Sequence, residues 1–190
     1  LASGLVLGTL GYTHCCIEDV GILRSIPNLT IISPADSGEA VKAVIASLDH
    51  KNSVYIRLTG GANLEQIYND DYDFEIGKSI TLKEGKDLSI FAAGTMVKVA
   101  LDCAKILSQK NINAEVVNMH TIKPIDTVKV EKSAESSKII VSIEEHNVIG
   151  GLGSAIAECL SNVKHSPKHN FFGINDSYSE GGEYNYLKEK

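Results

Sequence analysis

The sequence predicts an α/β protein built around mostly parallel sheet. Three observations point there. Along most of the chain, β-branched runs alternate with apolar stripes of helical period. The composition is that of a globular protein, 43% hydrophobic and 22% charged, with no low-complexity tract. No apolar run approaches the roughly 20 residues that a membrane span requires, and no repeat of solenoid period is present. The 190 residues allow one large domain or two small ones. An irregular stretch from Thr59 to Tyr72 sets a boundary near Asp73, so residues 1–73 are expected to be part of one α/β domain and 74–190 a second, largely complete one.

The opening "LASGLVLG" is apolar and strand-like. It lacks the Met, basic region and cleavage site of a signal peptide, and it starts without a cap or turn, so residues upstream of it are expected. Ile17, Val20 and Leu23 recur at near-helical spacing until "SIPN", where the residue before proline is pushed out of the α region. "LTIISP" is a β-branched strand. Asp36 then caps a helix, with Glu39 three residues later, and Val41, Val44, Ile45 and Leu48 form its apolar stripe. "SVYIRL" is the next strand. Beyond the boundary, "SITLKEG" and "DLSIFAAG" are strands, and Val97, Ala100, Leu101, Ala104 and Leu107 mark a helix. "AEVVNMH" and "KIIVSIEEH" are strands, and Leu152, Ile156, Cys159 and Leu160 mark a further helix.

The net charge of −6, with Lys and Arg scattered, argues against a nucleic-acid or anionic-membrane surface and for small molecules or proteins as partners. None of the four cysteines has the spacing of a zinc site or a secreted disulfide framework, which predicts a soluble protein in a reducing, cytoplasmic setting. In open α/β sheets ligands sit beyond the carboxyl ends of strands, which directs attention to the loops near His14, Gly60, His120 and His146. "IGGLGSA" follows a strand and opens a helix, as a dinucleotide loop does, but lacks the acidic residue about 20 positions on; close helix packing explains its glycines better. "EEH" and "MHTIKPID" could serve metal or acid/base chemistry, yet neither has a second ligand at a suitable spacing, and hydrogen-bonded loops or a subunit interface are the expectation. Cys15 and Cys16 read as small buried hydrophobes rather than a redox pair.

"GYTHCCIEDVGILRSIPNLTIISPADSGEA" resembles the transketolase-family pattern G-x-T-H-x-x-x-E-D, L-R-x-[IL]-P-N and P-A-D-x-x-E of a thiamine-diphosphate-binding (pyrimidine) domain. "GKSITLKEGKDLSIFAAGTMV", "VVNMHTIKPID" and "VSIEEHNVIGGLGSAIAECL" are similar, in order, to the transketolase C-terminal domain. The resemblance runs from about Gly8 to Tyr184. It implies a partial pyrimidine-binding domain followed by a transketolase C-terminal domain. It favours transketolase, or its separately encoded C-terminal section, with deoxyxylulose-phosphate synthase next, 2-oxoacid dehydrogenase β chains further off, and a non-catalytic assembly module as the competing class.

The same resemblance implies an enzyme that transfers a two-carbon ketol unit between sugars with thiamine diphosphate and a divalent metal such as Mg. It places His14 in the substrate channel as the catalytic and substrate-binding candidate, and it makes Glu18, Asp19 and Arg24 structural, with Arg24 pairing with a carboxylate a turn or two away. The family's cofactor glutamate, its aromatic partner and the G-D-G diphosphate motif have no counterpart in these residues. An N-terminal section or domain, in a homodimer or heterotetramer, is therefore the expected partner. Two departures touch the sugar site: Leu10 stands where transketolases commonly carry an Asp, and Gly60 aligns with their phosphate-binding Arg. Arg57 lies upstream of that position and is expected to point elsewhere.

Overall fold

The computed structural model describes residues 2–60, 65–178 and 180–189. Helix α1 (Asp19–Arg24) leads to β1 (Leu29–Ile32), α2 (Ser37–Leu48) and β2 (Ser53–Ile56). The second part runs β3 (Ile80–Lys83), β4 (Leu88–Ala92), α3 (Met96–Gln109), β5 (Ala114–Asn118), β6 (Thr121–Lys123), α4 (Thr127–Ser136), β7 (Ile139–Asn147), α5 (Leu152–Leu160), β8 (Lys168–Ile174) and α6 (Tyr184–Glu189).

Five strands form one sheet in the order β3-β5-β4-β7-β8, parallel except for the edge strand β3. Chain direction across the sheet reverses at β4, which puts the switch-point crevice at the carboxyl ends of β4 and β7. Alternation along the strands feeds two apolar layers. Ile90, Ala92 and Val116 pack with Val97, Ala100 and Ala104 of α3. Phe91 and Val117 turn the other way and pack with Ile140, Leu152 and Ile156.

That second layer also contains Val20 and Ile31, so the two halves of the chain share one core. They share a sheet as well. The smaller sheet has the order β2-β1-β6, with β1 and β2 parallel and β6, from the second half, antiparallel to β1.

Three local expectations change. Residues 2–8 of the opening stretch do not form a strand: they make an isolated bridge between Gly4 and Cys16 and lead into 3-10 turns at Gly8–Leu10 and Tyr12–His14. The segment is held by its buried Leu5, which packs with Ile17 and Leu187, rather than by a neighbouring strand. Arg24 pairs with Glu158, far along the chain, at 2.6 Å, and its guanidinium also donates to Gly150 O at 2.9 Å. Helix α2 forms as its spacing predicts, but its stripe faces outward, and Glu39 and Ala43 make the buried side. The reason is the fixed N-terminus. Asp36 caps the helix by accepting from Glu39 N at 2.8 Å, and Glu39 is held on the buried side by accepting from Ala35 N at 2.6 Å and from Asn118 Nδ2 at 2.9 Å.

The irregular segment between the halves is anchored to the same spot. Asp36 accepts from Ile67 N at 2.8 Å, and Tyr72 OH and Asn118 Nδ2 both donate to Glu39. Tyr68 and Tyr72 stack with centroids 3.9 Å apart.

Candidate functional site

The Thr13–His14 pair stands on the second 3-10 turn, and both residues are exposed. Gly11 makes the turn possible: its φ of 85° lies in the left-handed region that side-chain-bearing residues avoid. His14 Nδ1 lies 3.2 Å from Thr13 Oγ1, within hydrogen-bond reach. Leu10 is 59% exposed on the preceding turn, and Tyr12 packs its ring against Tyr178. Leu10 and His14 thus share one short loop. Gly60 follows β2 and is half-buried; its neighbour Gly61 lies outside the described residues.

The loop is exposed, but its base is not. Glu145 on β7 accepts from Leu5 N at 2.6 Å, from Tyr184 OH at 2.6 Å and from Thr95 Oγ1. One carboxylate thereby joins the N-terminal segment, the start of α3 and the start of α6. These groups sit at the crevice beside the ends of β4 and β7, next to a cavity lined by Leu5, Met96, Ile143, Glu145, Phe172 and Leu187.

Beneath the other end of the loop lies a buried ion pair. Arg57 Nε and Nη2 contact both oxygens of Asp19 at 2.9 and 3.1 Å, and Nη2 also donates to Cys16 O and Glu145 O. Tyr55 OH donates to Asp19 at 2.9 Å. Burial alone would raise the Asp19 carboxyl; hydrogen bonds and charge from Arg57, with help from Tyr55, overcome it and hold Asp19 below the usual carboxylate range. Arg57 therefore points into the interior, at Asp19 in the first turn of α1.

The three residues of "EEH" all belong to this framework. Glu144 accepts from Leu152 N at 2.6 Å and Gly153 N at 2.9 Å, so a carboxylate of the chain itself occupies the α5 N-terminus that a nucleotide phosphate would use. Burial pushes its carboxyl up to about 7 despite those two bonds. Gly151 permits the approach, because a Cβ there would sit 1.9 Å from Glu144 Oε2. The glycines of "IGGLGSA" thus serve close packing. His146 Nδ1 lies 2.7 Å from Asn147 O and Nε2 accepts from Gly21 N at 3.2 Å, which fixes the Nδ1-protonated tautomer. Burial lowers its pKa and keeps the ring neutral.

His120 is also buried, stacked on Phe74 at 4.3 Å, and burial lowers it to about 4. The structure does not bring His120 or His146 to His14's exposed loop. All four cysteines are free; Cys15 and Cys16 are half-buried, and burial with Asp19 pushes the Cys16 thiol up, away from reactivity. Sequence reasoning missed the Asp19–Arg57–Tyr55 and Glu145 ties. The signal available was a pair of acids, Glu144–Glu145, directly after the largely apolar run Ile139–Ile143 of β7.

Two family models match the chain: the transketolase pyrimidine-binding domain over residues 2–63 and the transketolase C-terminal domain over residues 77–185. The chain is 41% identical to a 6-deoxy-6-sulfo-D-fructose transketolase subunit of Clostridium sp. (strain MSTE9), over 98% of its own length and 58% of the relative's. It is 36% identical to an apulose-4-phosphate transketolase subunit of Phocaeicola vulgatus, over 90% of its own length and 60% of the relative's. A solved split-gene transketolase, described as an inactive β4 tetramer, superposes with a TM-score of 0.86 at 38% identity, covering 94% of this chain and 57% of that one. The chain therefore spans less than two thirds of the length of each of these proteins. On both domain matches, and on this identity over nearly its whole length, the chain belongs to the transketolase family.

Proposed function

We propose that this chain is the C-terminal component of a thiamine-diphosphate-dependent transketolase that moves a two-carbon ketol unit between sugars. The observation that carries the reading is the presentation of His14: an exposed imidazole on a turn whose two ends are pinned by buried Glu145 and by the Asp19–Arg57 pair. A group held that way can hydrogen-bond a sugar hydroxyl with little reorganisation. Leu10, on the same loop, and Gly60 are the proposed substrate-facing departures. Neither supplies a carboxylate or a cation, so the reading includes relaxed selection for phosphorylated ketoses. The division near Asp73 and a cytoplasmic location belong to the same proposal. Among the described residues no helix is long and apolar enough to cross a membrane.

The residues present do not fit thiamine diphosphate and its metal. Asp36, Asp126 and Glu144 already fill the N-termini of α2, α4 and α5. Among the described residues no group of three or more His, Cys, Asp or Glu could hold a cation. The diphosphate and Mg are therefore assigned to a partner, an N-terminal transketolase section, in a homodimer or heterotetramer. Calorimetric titration with thiamine diphosphate and Mg tests this: weak or no binding to the chain alone, and tight binding once the N-terminal section is added. Tight binding to these 190 residues alone would overturn the assignment. A donor and acceptor panel on the reconstituted enzyme, beside Leu10→Asp and Gly60→Arg, tests the substrate reading. Full efficiency on phosphorylated ketoses, with the variants adding nothing, would reject it.

A further inference from the structure

The five-stranded sheet has two edges, and they are finished differently. β3, at one edge, is four residues long and half-buried throughout, and its register slips between Thr81 and Lys83. A short strand, an irregularity and a lysine are devices that keep an edge from pairing. β8, at the other edge, has seven residues and runs in unbroken register on β7 from Lys168 to Phe172. Its middle is apolar and open: Phe171 is 40% and Phe172 58% exposed, and Gly173 is exposed beside them. His169 stacks on Phe171 and reaches Ser142 Oγ at 3.0 Å, and burial lowers it to about 4, so it is neutral. The charges stand outside this stretch, at Lys168 before it and Asp176 after it, both exposed and neither with an ion-pair partner among the described residues.

One hydrogen bond gives the direction of the backbone groups. Val148 N donates to Ile174 O at 2.9 Å, so Ile174 and, by alternation, Phe172 and Asn170 turn theirs toward β7. Those of His169, Phe171 and Gly173 face away from the sheet. An edge of this kind, apolar and with free donors and acceptors, is a template for one more strand.

We propose that β8 is an interface between two copies of this chain, paired antiparallel about a twofold axis that passes beside Phe172. In that register Phe172 lies opposite the other copy's Phe172, Phe171 opposite its Gly173, and Lys168 level with its Asp176. Three features select it. The outward backbone groups of Phe171 and Gly173 exchange hydrogen bonds, and the Phe171 ring covers a residue that has no side chain of its own. The most exposed ring of the strand meets its own copy at a pair without hydrogen bonds, where side chains approach closest. Each unpaired charge meets its opposite, twice by symmetry. Moving the axis to Phe171 or to Gly173 takes Asp176 away from Lys168 and sets Gly173 against His169 or against itself. A strand of another protein would have no reason to carry this match at both ends, which is why the occupant is a second copy. The inference goes beyond the proposed function, since it uses neither the His14 loop nor a cofactor.

Disulfide trapping in the full-length protein tests it, without thiamine diphosphate and without the N-terminal section. Directly opposed residues without hydrogen bonds have Cα atoms about 4.5 Å apart, within disulfide range. Under mild oxidation Phe172→Cys should therefore give a dimer linked through position 172, read by peptide mass mapping, and Phe171→Cys should link through position 171 at least about 10-fold more slowly. Lys168→Asp and Asp176→Lys, each added to Phe172→Cys, should slow the linkage about 10-fold, and the two together should restore it. Linkage that is absent at position 172, that is faster at 171, that needs the N-terminal section, or that ignores both charge reversals would overturn the proposal. Linkage at 172 in a protein that gains no thiamine diphosphate binding from its N-terminal section would reject the proposed function and leave this interface standing.

Discussion

His14 and Arg57 sit at opposite extremes of burial, and that decides what each substitution does. His14 is exposed, with Thr13 as its hydrogen-bond neighbour, so His14→Ala removes no core contact. It should lower kcat of the reconstituted enzyme by about 100- to 1000-fold, the range for loss of a hydrogen-bond donor acting in the transition state, with the Tm nearly unchanged. A large fall in Tm with normal activity in the folded fraction would mark it as a packing residue. Arg57→Met strands the buried Asp19 carboxylate with Tyr55 as its remaining side-chain donor and should cost about 3–5 kcal/mol in urea unfolding. The pH dependence carries a sign. A depressed carboxyl contributes stability that is present above its unfolded value, 3.8, and lost as pH falls through the lower folded value. In Arg57→Met burial acts on Asp19 without the guanidinium, so that acid-side loss should disappear, and stability should instead fall as pH rises from acid toward neutral.

At the scale of an element, α5 shows how a glycine, a carboxylate and a helix terminus depend on one another. Leu152 N and Gly153 N are satisfied by Glu144, and Gly151 has no side chain to prevent it. Gly151→Ala should cost about 1–3 kcal/mol by forcing that carboxylate off the terminus. Glu144 is the reverse case of Asp19: its folded pKa is raised, from 4.5 to about 7, so the folded state holds the proton more tightly than the unfolded one. Stability should therefore decline between pH 4.5 and about 7, and Glu144→Gln should flatten that slope in denaturation curves taken across the window. Helix α2 follows the same rule, with Asp36 and Glu39 satisfying backbone donors at its start. Both termini are thereby closed to an anionic ligand.

For the whole molecule, the contacts that matter most join distant parts of the chain. β6 completes the sheet of the first half, Val20 and Ile31 enter the core of the second, and Glu145 ties Leu5, Thr95 and Tyr184. Glu145→Ala leaves Leu5 N buried without its acceptor and should cost about 1–3 kcal/mol. Its effect should also be regional: backbone exchange should speed up across residues 4–16 and 181–188 more than in β4 or β5. A uniform effect over the whole chain would show that Glu145 contributes only to global stability. A selective one would identify it as the residue that holds the His14 loop in place.

By itself the sequence determined the α/β class, the family, and elements whose signal is local: the apolar stripe of α3, the runs of β1, β4, β5 and β7, and the Asp36 cap of α2. Periodicity and capping depend on residues a few positions apart, so they can be read directly. The three-residue β6 and the polar helix α4 were too short or too weakly patterned to declare themselves, and β8 alternates poorly. Only the tertiary structure decided that α2 turns its apolar stripe outward, that the glycine loop is filled by Glu144, and that Arg57 belongs to Asp19 rather than to a substrate. Two of those outcomes depend on a partner brought in from far along the chain, Glu39 meeting Asn118 79 residues away and Asp19 meeting Arg57 38 away, while Glu144 meets Leu152 N only 8 residues on, across a turn whose geometry the letters do not state. A buried charge or backbone donor must find a partner somewhere, and the sequence states that need without stating where it is met.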